Sequence, residues 1–373
     1  MYNKDEIYMS KALSLSLKGR GSVNPNPLVG AIVVKNGQII GEGYHQKFGG
    51  KHAEINAFES LTESAEGAVM YVTLEPCSHF GKTPPCVQAI VKNKISKVFV
   101  GLLDPNPLVS GRGIRFLEEH GVEVVCGVLE KELQNVNRIF LKYITTKTPW
   151  VVMKTAMTLD GKIASCTGDS KWISCEESRL KVHKLRNELM GIMVGVETVK
   201  KDNPLLTTRL EQEEVHNPIR IVADSKASIP LDSRVLNTTG RTIVFVTDVA
   251  EKHKIKAIED KGKEVYIVRS HKGRIDLHSA LSKLGDLEID SLLLEGGGTI
   301  NFSAIQEGIV DEVYSYIAPK IIGGSISKTP VEGCGFDMMN KAVQLQQVSY
   351  EKIGDDLLIH GYIHKEKDIC LQE

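Results

Sequence analysis

Residues able to do chemistry concentrate at two places in this chain. The first is His52-Ala53-Glu54 followed by Pro76-Cys77 and Pro85-Cys86, with eight residues between the two cysteines. One imidazole and two thiolates make three ligands for a tetrahedral zinc and leave the fourth position to water, which separates a catalytic zinc from a closed structural one. The whole set carries this reading, because His-x-Glu alone recurs at His364-Lys365-Glu366 with no cysteine pair after it. Glu54 follows the ligand histidine closely enough to stand near the metal without binding it. From there it can take a proton from the water that zinc acidifies, so that the oxygen adds to an amidine-like carbon, and then protonate the departing ammonia. A fourth ligand, His45 or His79, would instead make the zinc structural. His79 and Lys82 read either as solvated loop residues or as substrate contacts, and Asp104-Pro105-Asn106-Pro107 as a turn. Cys126, Cys166, Cys175, Cys334 and Cys370 have no ligand spacing and read as ordinary thiols.

The second place is Glu295-Gly296-Gly297-Gly298-Thr299-Ile300-Asn301-Phe302, which follows the apolar run Ser291–Leu294 and opens a helix pattern. Glycines let a phosphate approach the backbone, and the amides at a helix start favour its charge. The run is not Gly-x-Gly-x-x-Gly, since Asn301 occupies the place of the last glycine, so a Rossmann fingerprint is not supported. A tight turn explains the glycines equally well when they are taken alone. Read in isolation, Arg186 is one charge of the basic helix Lys181–Arg186, and Trp172 is a core aromatic.

These residues need elements to hold them. Met9, Leu13 and Leu17 mark a first helix. Leu28–Val34 and Gln38–Tyr44 are β-rich runs joined by Asn36-Gly37, a two-residue hairpin turn. Helix at His52–Leu61, strand at Ala68–Leu74, helix at Pro85–Asn93, strand at Lys97–Leu103, helix at Gly113–His120 and strand at Val122–Val128 continue as a βαβαβ series on a largely parallel sheet. His52 and Cys86 thus sit at helix starts, near the carboxyl ends of strands where sites form. One amphipathic helix is expected over Glu130–Ile144. The linker Thr145–Pro149 follows it, and the domain boundary is placed there, giving domains 1–146 and 147–373. The second half repeats the α/β rhythm, with strands at Trp150–Lys154, Gly191–Val196, Ile219–Ala223, Thr242–Thr247, Glu264–Val268 and Ser291–Leu294. An antiparallel hairpin, Val343–Glu351 with Leu357–Ile363, ends the pattern.

Composition narrows the function. With 373 residues, the chain holds two domains. Its 46 Lys+Arg against 47 Asp+Glu leave a net charge of −1 and no basic block, which disfavours nucleic acid as a partner. The apolar runs are too short to span a membrane. Charges at Lys4-Asp5-Glu6 stand where a signal peptide needs apolar residues, and the seven scattered cysteines suit a reducing compartment, so a cytoplasmic protein is expected.

His-x-Glu with Pro-Cys and a second cysteine resembles the zinc-dependent cytidine and nucleobase deaminases. The long insert Ser78–Pro85 between the cysteines, together with Asn24-Pro25-Asn26-Pro27-Leu28-Val29-Gly30, is similar to the deaminase half of the bifunctional riboflavin-biosynthesis deaminase/reductases. Met157–Ala164, Gly195–Val199, Asp202–Arg209 and the glycine run, in that order, resemble the reductase half of the same family. The resemblance implies a cytidine-deaminase-like three-layer α/β domain followed by a dihydrofolate-reductase-like α/β domain. It implies one zinc per chain on His52, Cys77 and Cys86, with Glu54 catalytic. It places NADPH on Ala156, Trp172, Thr198, Asp202 and the loop Gly297, Gly298, Thr299, Ile300, Asn301, Phe302 and Ser303. Substrate contacts fall on Ser170, Arg186, Leu206, Arg209 and Glu295, where two arginines can grip a sugar phosphate. The implied reactions are deamination of 2,5-diamino-6-ribosylamino-4(3H)-pyrimidinone 5′-phosphate and NADPH-dependent reduction of the ribosyl group to ribityl, by a homo-oligomer. Two rivals remain at this point: an RNA or nucleoside deaminase with a C-terminal binding domain, and a structural-zinc protein that senses nucleotides.

Overall fold

The computed structural model describes residues 3–78, 84–105, 111–211 and 215–363. The chain forms two compact units, Met1–Lys147 and Thr148–Glu373.

In the first unit, helix α1 (Lys4–Ser16) begins with a capping box: Asn3 accepts the amides of Asp5 and Glu6, and Glu6 reaches back to the Asn3 amide. Strands β1 (Gly30–Lys35) and β2 (Gln38–Tyr44) form the expected hairpin, with Asn36 at φ 51° and Gly37 at φ 80°. Next come α2 (Ala53–Glu59), β3 (Val69–Val72), α3 (Cys86–Lys92), β4 (Lys97–Val100), α4 (Arg112–Glu119) and β5 (Glu123–Cys126). The sheet order is β2-β1-β3-β4-β5, with β3, β4 and β5 parallel. Strand residues alternate between two cores. Val33, Met70, Val72 and Val98 pack against Ala57, Ile90 and Leu117 of the helices on one face. Ile32, Val34, Tyr71 and Phe99 turn to the other face, against Met9, Ala12 and Leu133. The result is three layers, and each fully buried aliphatic such as Ile90 or Leu117 contributes about 1.5–3 kcal/mol.

The single helix expected over Glu130–Ile144 is in fact two, α5 (Glu130–Val136) and α6 (Arg138–Thr146). The break falls at buried Asn137, whose Oδ1 accepts the Leu28 amide at 2.8 Å and whose Nδ2 donates to the Leu28 carbonyl at 3.1 Å. A bond to so distant a residue leaves no mark on local periodicity.

The second unit contains β6 (Trp150–Thr158), α7 (Glu176–Glu188), β7 (Gly191–Gly195), α8 (Val196–Asp202), β8 (Ile219–Ala223), α9 (Arg234–Asn237), β9 (Thr242–Val246), α10 (Lys252–Glu259) and β10 (Glu264–Ile267). A small ribbon of β11 (Ser270–His271) and β12 (Arg274–Ile275) precedes α11 (Leu277–Asp286), β13 (Ser291–Leu294), α12 (Gly298–Gln306), β14 (Glu312–Ala318), β15 (Leu345–Ile353) and β16 (Asp356–Ile363). The sheet order is β10-β9-β8-β7-β13-β6-β14-β16-β15, parallel up to β14 and antiparallel beyond it. Strand β14 was not among the expected elements. It pairs with β6 from Glu312↔Val152 to Ala318↔Thr158, which is why β6 runs past Lys154 to Thr158. Central β13, flanked by β6 and β7, delivers Glu295 and the glycine run at the carboxyl edge of the sheet.

Candidate active sites

His52 is the N-cap residue of α2, Cys86 is the first residue of α3, and Cys77 lies just past β3. Helix α2 lies directly on β2. A Cβ on Gly43 would stand 2.3 Å from the Ala57 nitrogen and 2.5 Å from the Ala53 oxygen, so glycine there lets the helix bring His52 and Glu54 inward. His52 Nδ1 is 3.3 Å from Cys86 Sγ and 3.5 Å from Cys77 Sγ, and the Cys86 amide donates to Cys77 Sγ at 3.3 Å. The three ligand atoms all lie within 4.8 Å of one another. An imidazole nitrogen and two sulfurs so gathered fit a zinc ion. The thiol and amide of Cys86, with His52, hold the Cys77 thiol well below its ordinary value. Glu54 is 3% exposed, and burial raises its carboxyl, helped by the neighbouring Cys77.

His45 is not a fourth ligand. Its Nδ1 lies 2.9 Å from the Lys51 carbonyl and its Nε2 faces Asn26 Nδ2 at 3.1 Å, so both ring nitrogens are engaged. His79, Lys82, Asn106, Pro107, Cys370 and the His364–Glu366 motif lie outside the described residues. Glu75, which sequence reasoning passed over, is buried beside Pro76-Cys77 and accepts the amides of Asp104 (3.3 Å), Gly111 (3.0 Å) and Gly113 (3.0 Å). It ties Asp104, Gly111 and Gly113 to the segment that carries Cys77.

In the second unit, Glu295 is the node. Arg186 from α7 grips it with Nε to Oε1 at 2.7 Å and Nη2 to Oε2 at 2.9 Å, while Arg186 Nη1 donates to the Thr207 carbonyl at 3.0 Å. Lys154 of β6, another residue not singled out from the sequence, adds Nζ to Oε2 at 3.3 Å. Burial opposes the Glu295 charge, but Arg186 and Lys154 prevail and hold its carboxyl well below the usual carboxylate range. Arg209, exposed, carries a cation nearby. Its amide donates to His183 Nδ1 at 3.2 Å, and its Nε lies 3.3 Å from His183 Nε2. Leu206 is buried with φ 54°, a turn that brings this segment back toward α7.

Among the other expected contacts, Ala156 and Ser170 are half-buried, Thr198 stands in the first turn of α8, and Asp202 is exposed at its end. Trp172 is no core aromatic: it is 61% exposed, with the Arg179 guanidinium 4.7 Å from its ring centre. The glycines differ from one another. A Cβ on Gly297 would meet only Thr198 Oγ1, at 3.4 Å, whereas one on Gly298 would stand 2.4 Å from Glu332 Cγ and 2.7 Å from the Thr329 oxygen. Gly298 therefore serves packing, and Gly297 keeps the open cradle at the start of α12. Asn301 and Phe302 turn inward, Asn301 Nδ2 donating to the Pro330 carbonyl at 2.8 Å and Phe302 lying 5.8 Å from Phe336. Thr299 is exposed and Ser303 half-buried. An open backbone cradle at a helix start, next to a hydroxyl, fits a dinucleotide phosphate.

Comparison with known proteins decides between the readings. The family described as the RibD C-terminal domain matches residues 149–359, and the cytidine and deoxycytidylate deaminase zinc-binding region matches residues 2–102. The riboflavin biosynthesis protein RibD of Actinobacillus pleuropneumoniae is 48% identical over 95% of this chain and 94% of its own length. The chain belongs to the RibD family. RibD of Escherichia coli is 36% identical over 96% of this chain and 99% of its own. The crystal structure of a Thermotoga maritima diaminohydroxyphosphoribosylaminopyrimidine deaminase/5-amino-6-(5-phosphoribosylamino)uracil reductase superposes with a TM-score of 0.85 at 38% identity, covering 97% of this chain and 99% of that one. Acinetobacter baumannii RibD superposes with a TM-score of 0.88 at 33% identity, over 97% of this chain and 99% of that one. This RibD family member is a bifunctional deaminase and reductase of riboflavin biosynthesis, with a cytidine-deaminase-like N-terminal domain and a RibD reductase domain. Zinc and NADPH are its cofactors. Among the described residues, no helix is long and apolar enough to cross a membrane.

Proposed function

We propose that residues 1–146 remove the 2-amino group of 2,5-diamino-6-ribosylamino-4(3H)-pyrimidinone 5′-phosphate as ammonia, and that residues 147–373 reduce the ribosylamino group of the product to ribitylamino. The observation that carries the first step is the gathering of His52 Nδ1 and two sulfurs within 4.8 Å, with buried Glu54 two residues after His52. Zinc held by His52, Cys77 and Cys86 would supply Lewis acidity toward a water. Glu54 takes a proton from a water as the water oxygen bonds to C2 of the pyrimidine and passes it to the adjacent ring nitrogen, then carries the remaining hydroxyl proton to the amine as the C–N bond breaks. Water enters, ammonia leaves, and the ring carbon ends as a carbonyl. The buried site around Glu54 keeps this proton from bulk solvent.

For the second step, NADPH supplies a hydride. The open cradle at Gly297 and the hydroxyl of Thr198 support cofactor binding, for which Thr299, Ser303, Asp202, Ala156 and Trp172 are the further contacts of this reading. Arg209, held against His183 beside the Lys154–Glu295–Arg186 cluster, supports a phosphorylated substrate. Its chemistry is that of a small molecule; the near-even charge of the chain argues against nucleic acid. A homo-oligomer is supported by β15, an edge strand exposed along most of its length with Val348 and Tyr350 on it. The scattered free cysteines support a cytoplasmic location.

Feeding the diaminopyrimidine phosphate should release ammonia and then consume NADPH. Glu54→Gln should keep its zinc by metal analysis yet lose deamination by about 10²- to 10⁴-fold. A loss below tenfold assigns the proton to another group.

A further inference from the structure

Helix α7 also carries His183, one turn before Arg186, which the resemblance does not assign. Both ring nitrogens of His183 face N–H groups of Arg209: the main-chain amide at Nδ1, 3.2 Å, and the guanidinium Nε at Nε2, 3.3 Å. A neutral imidazole accepts at one nitrogen only and carries hydrogen on the other. The backbone amide cannot swing away and the arginine side chain can, so Nδ1 accepts and Nε2 bears the hydrogen. Two N–H donors, His183 Nε2–H and Arg209 Nε–H, then face each other, and among the described residues no acceptor lies between them. An oxygen that accepts from both satisfies both, and an anionic oxygen does so best. The charged groups that face this ring are Arg186 on its own helix, Arg209, Lys154 of β6 and Glu295 after β13. Burial, then the neighbouring arginines, push His183 down to about 4, which keeps it neutral with Nδ1 able to accept.

We propose that His183 and Arg209 form a two-donor clamp for a phosphoryl oxygen of the ligand, with His183 both anchoring the Arg209 backbone and donating to the anion. Arg186, committed to Glu295 and the Thr207 carbonyl, supports the clamp from behind. The proposal rests on the reductase reading above and adds to it a residue that discriminates phosphorylated from dephosphorylated substrate.

Two substitutions separate anchoring from donation. His183→Asn puts an amide oxygen near the Nδ1 position, so it keeps the Arg209 amide satisfied but offers nothing at Nε2. His183→Leu removes both. With the full-length zinc-loaded protein, inorganic phosphate is the probe, measured as a competitive inhibitor of the reductase step against the phosphorylated substrate. His183→Asn should raise both the phosphate inhibition constant and the substrate KM about tenfold, or about 1.4 kcal/mol, with kcat changed less than twofold. The KM for the dephosphorylated substrate should match that of the unmodified protein. Deamination and NADPH affinity, which His183 does not touch, should be unchanged and report intact folding. His183→Leu should be worse than His183→Asn. If His183→Asn binds phosphate and substrate as the unmodified protein does, the clamp is wrong and the histidine only anchors. If the unmodified protein itself neither reduces the substrate nor feels phosphate, the reductase reading fails instead, a result distinct from the first.

Discussion

At the scale of single residues, the second site contrasts two arginines that look alike in the sequence. Arg186 is part of a buried ion pair, with side-chain exposures of 14% for Arg186 and 8% for Glu295, so its removal leaves a buried carboxylate with Lys154 alone. Arg186→Ala should therefore destabilise the second unit by about 3 kcal/mol, read by denaturant titration. Arg209→Ala, at an exposed position, should change stability by less than about 0.5 kcal/mol and act on the KM for the phosphorylated substrate. Equal stability losses for the two would refute the distinction between scaffold and ligand contact. A pH dependence follows from the same cluster. The His183 value falls from 6.5 to about 4 in the folded chain, so between those values the unfolded chain binds a proton that the folded chain does not. Stability from this group is complete above pH 6.5 and declines as pH falls toward 4. The depressed Glu295 carboxyl adds a further loss below the ordinary carboxylate range. His183→Asn should flatten the upper part of that slope in unfolding experiments run across this window. The imidazole and two thiols of the first site were legible from residue type and spacing, since zinc chemistry needs that set. Lys154, His183 and Glu75 were not, because lysine, histidine and glutamate on an α/β scaffold have no special spacing, and only the folded neighbourhood gives them partners.

At the scale of elements, sheets and helices followed their periodicities except where a long-range contact intervened. The Asn36-Gly37 hairpin was legible because the turn chemistry is local. The break at Asn137 and the strand Glu312–Ala318 were not, because the first depends on Leu28 and the second on pairing with β6. The glycine run shows how one element divides its duties. Gly298→Val would drive a side chain into Glu332 and the Thr329 carbonyl and should unfold or loosen the start of α12. Gly297→Val has only Thr198 to meet, so it should leave the melting temperature near that of the unmodified protein while weakening NADPH in a direct titration. Unchanged NADPH affinity in Gly297→Val would mean that the cradle is only a turn and that the cofactor lies elsewhere.

At the scale of the whole molecule, each compact unit has its own sheet and its own cores, so the two should fold separately. Expressed apart as residues 1–147 and 148–373, the first should hold zinc and lose its structure with a chelator. The second should be stabilised by NADPH alone, by about 2.7 kcal/mol at a hundredfold excess over Kd. Failure of either fragment to fold would refute the independence of the units. What the sequence determined by itself was the chemistry that depends on residue type and on short spacing: an imidazole and two thiols able to hold a metal, a hairpin turn and alternating α/β elements. Those signals are local, and the physics behind them acts over a few residues. Only the tertiary structure decided which groups share a charge. It paired Arg186 and Lys154 with Glu295, occupied both nitrogens of His45, and turned Asn301 and Phe302 inward while leaving Gly297 open. Each of these depends on strands and helices distant in the chain meeting at the carboxyl edge of a sheet, and burial there sets both the charge states and the room for a ligand.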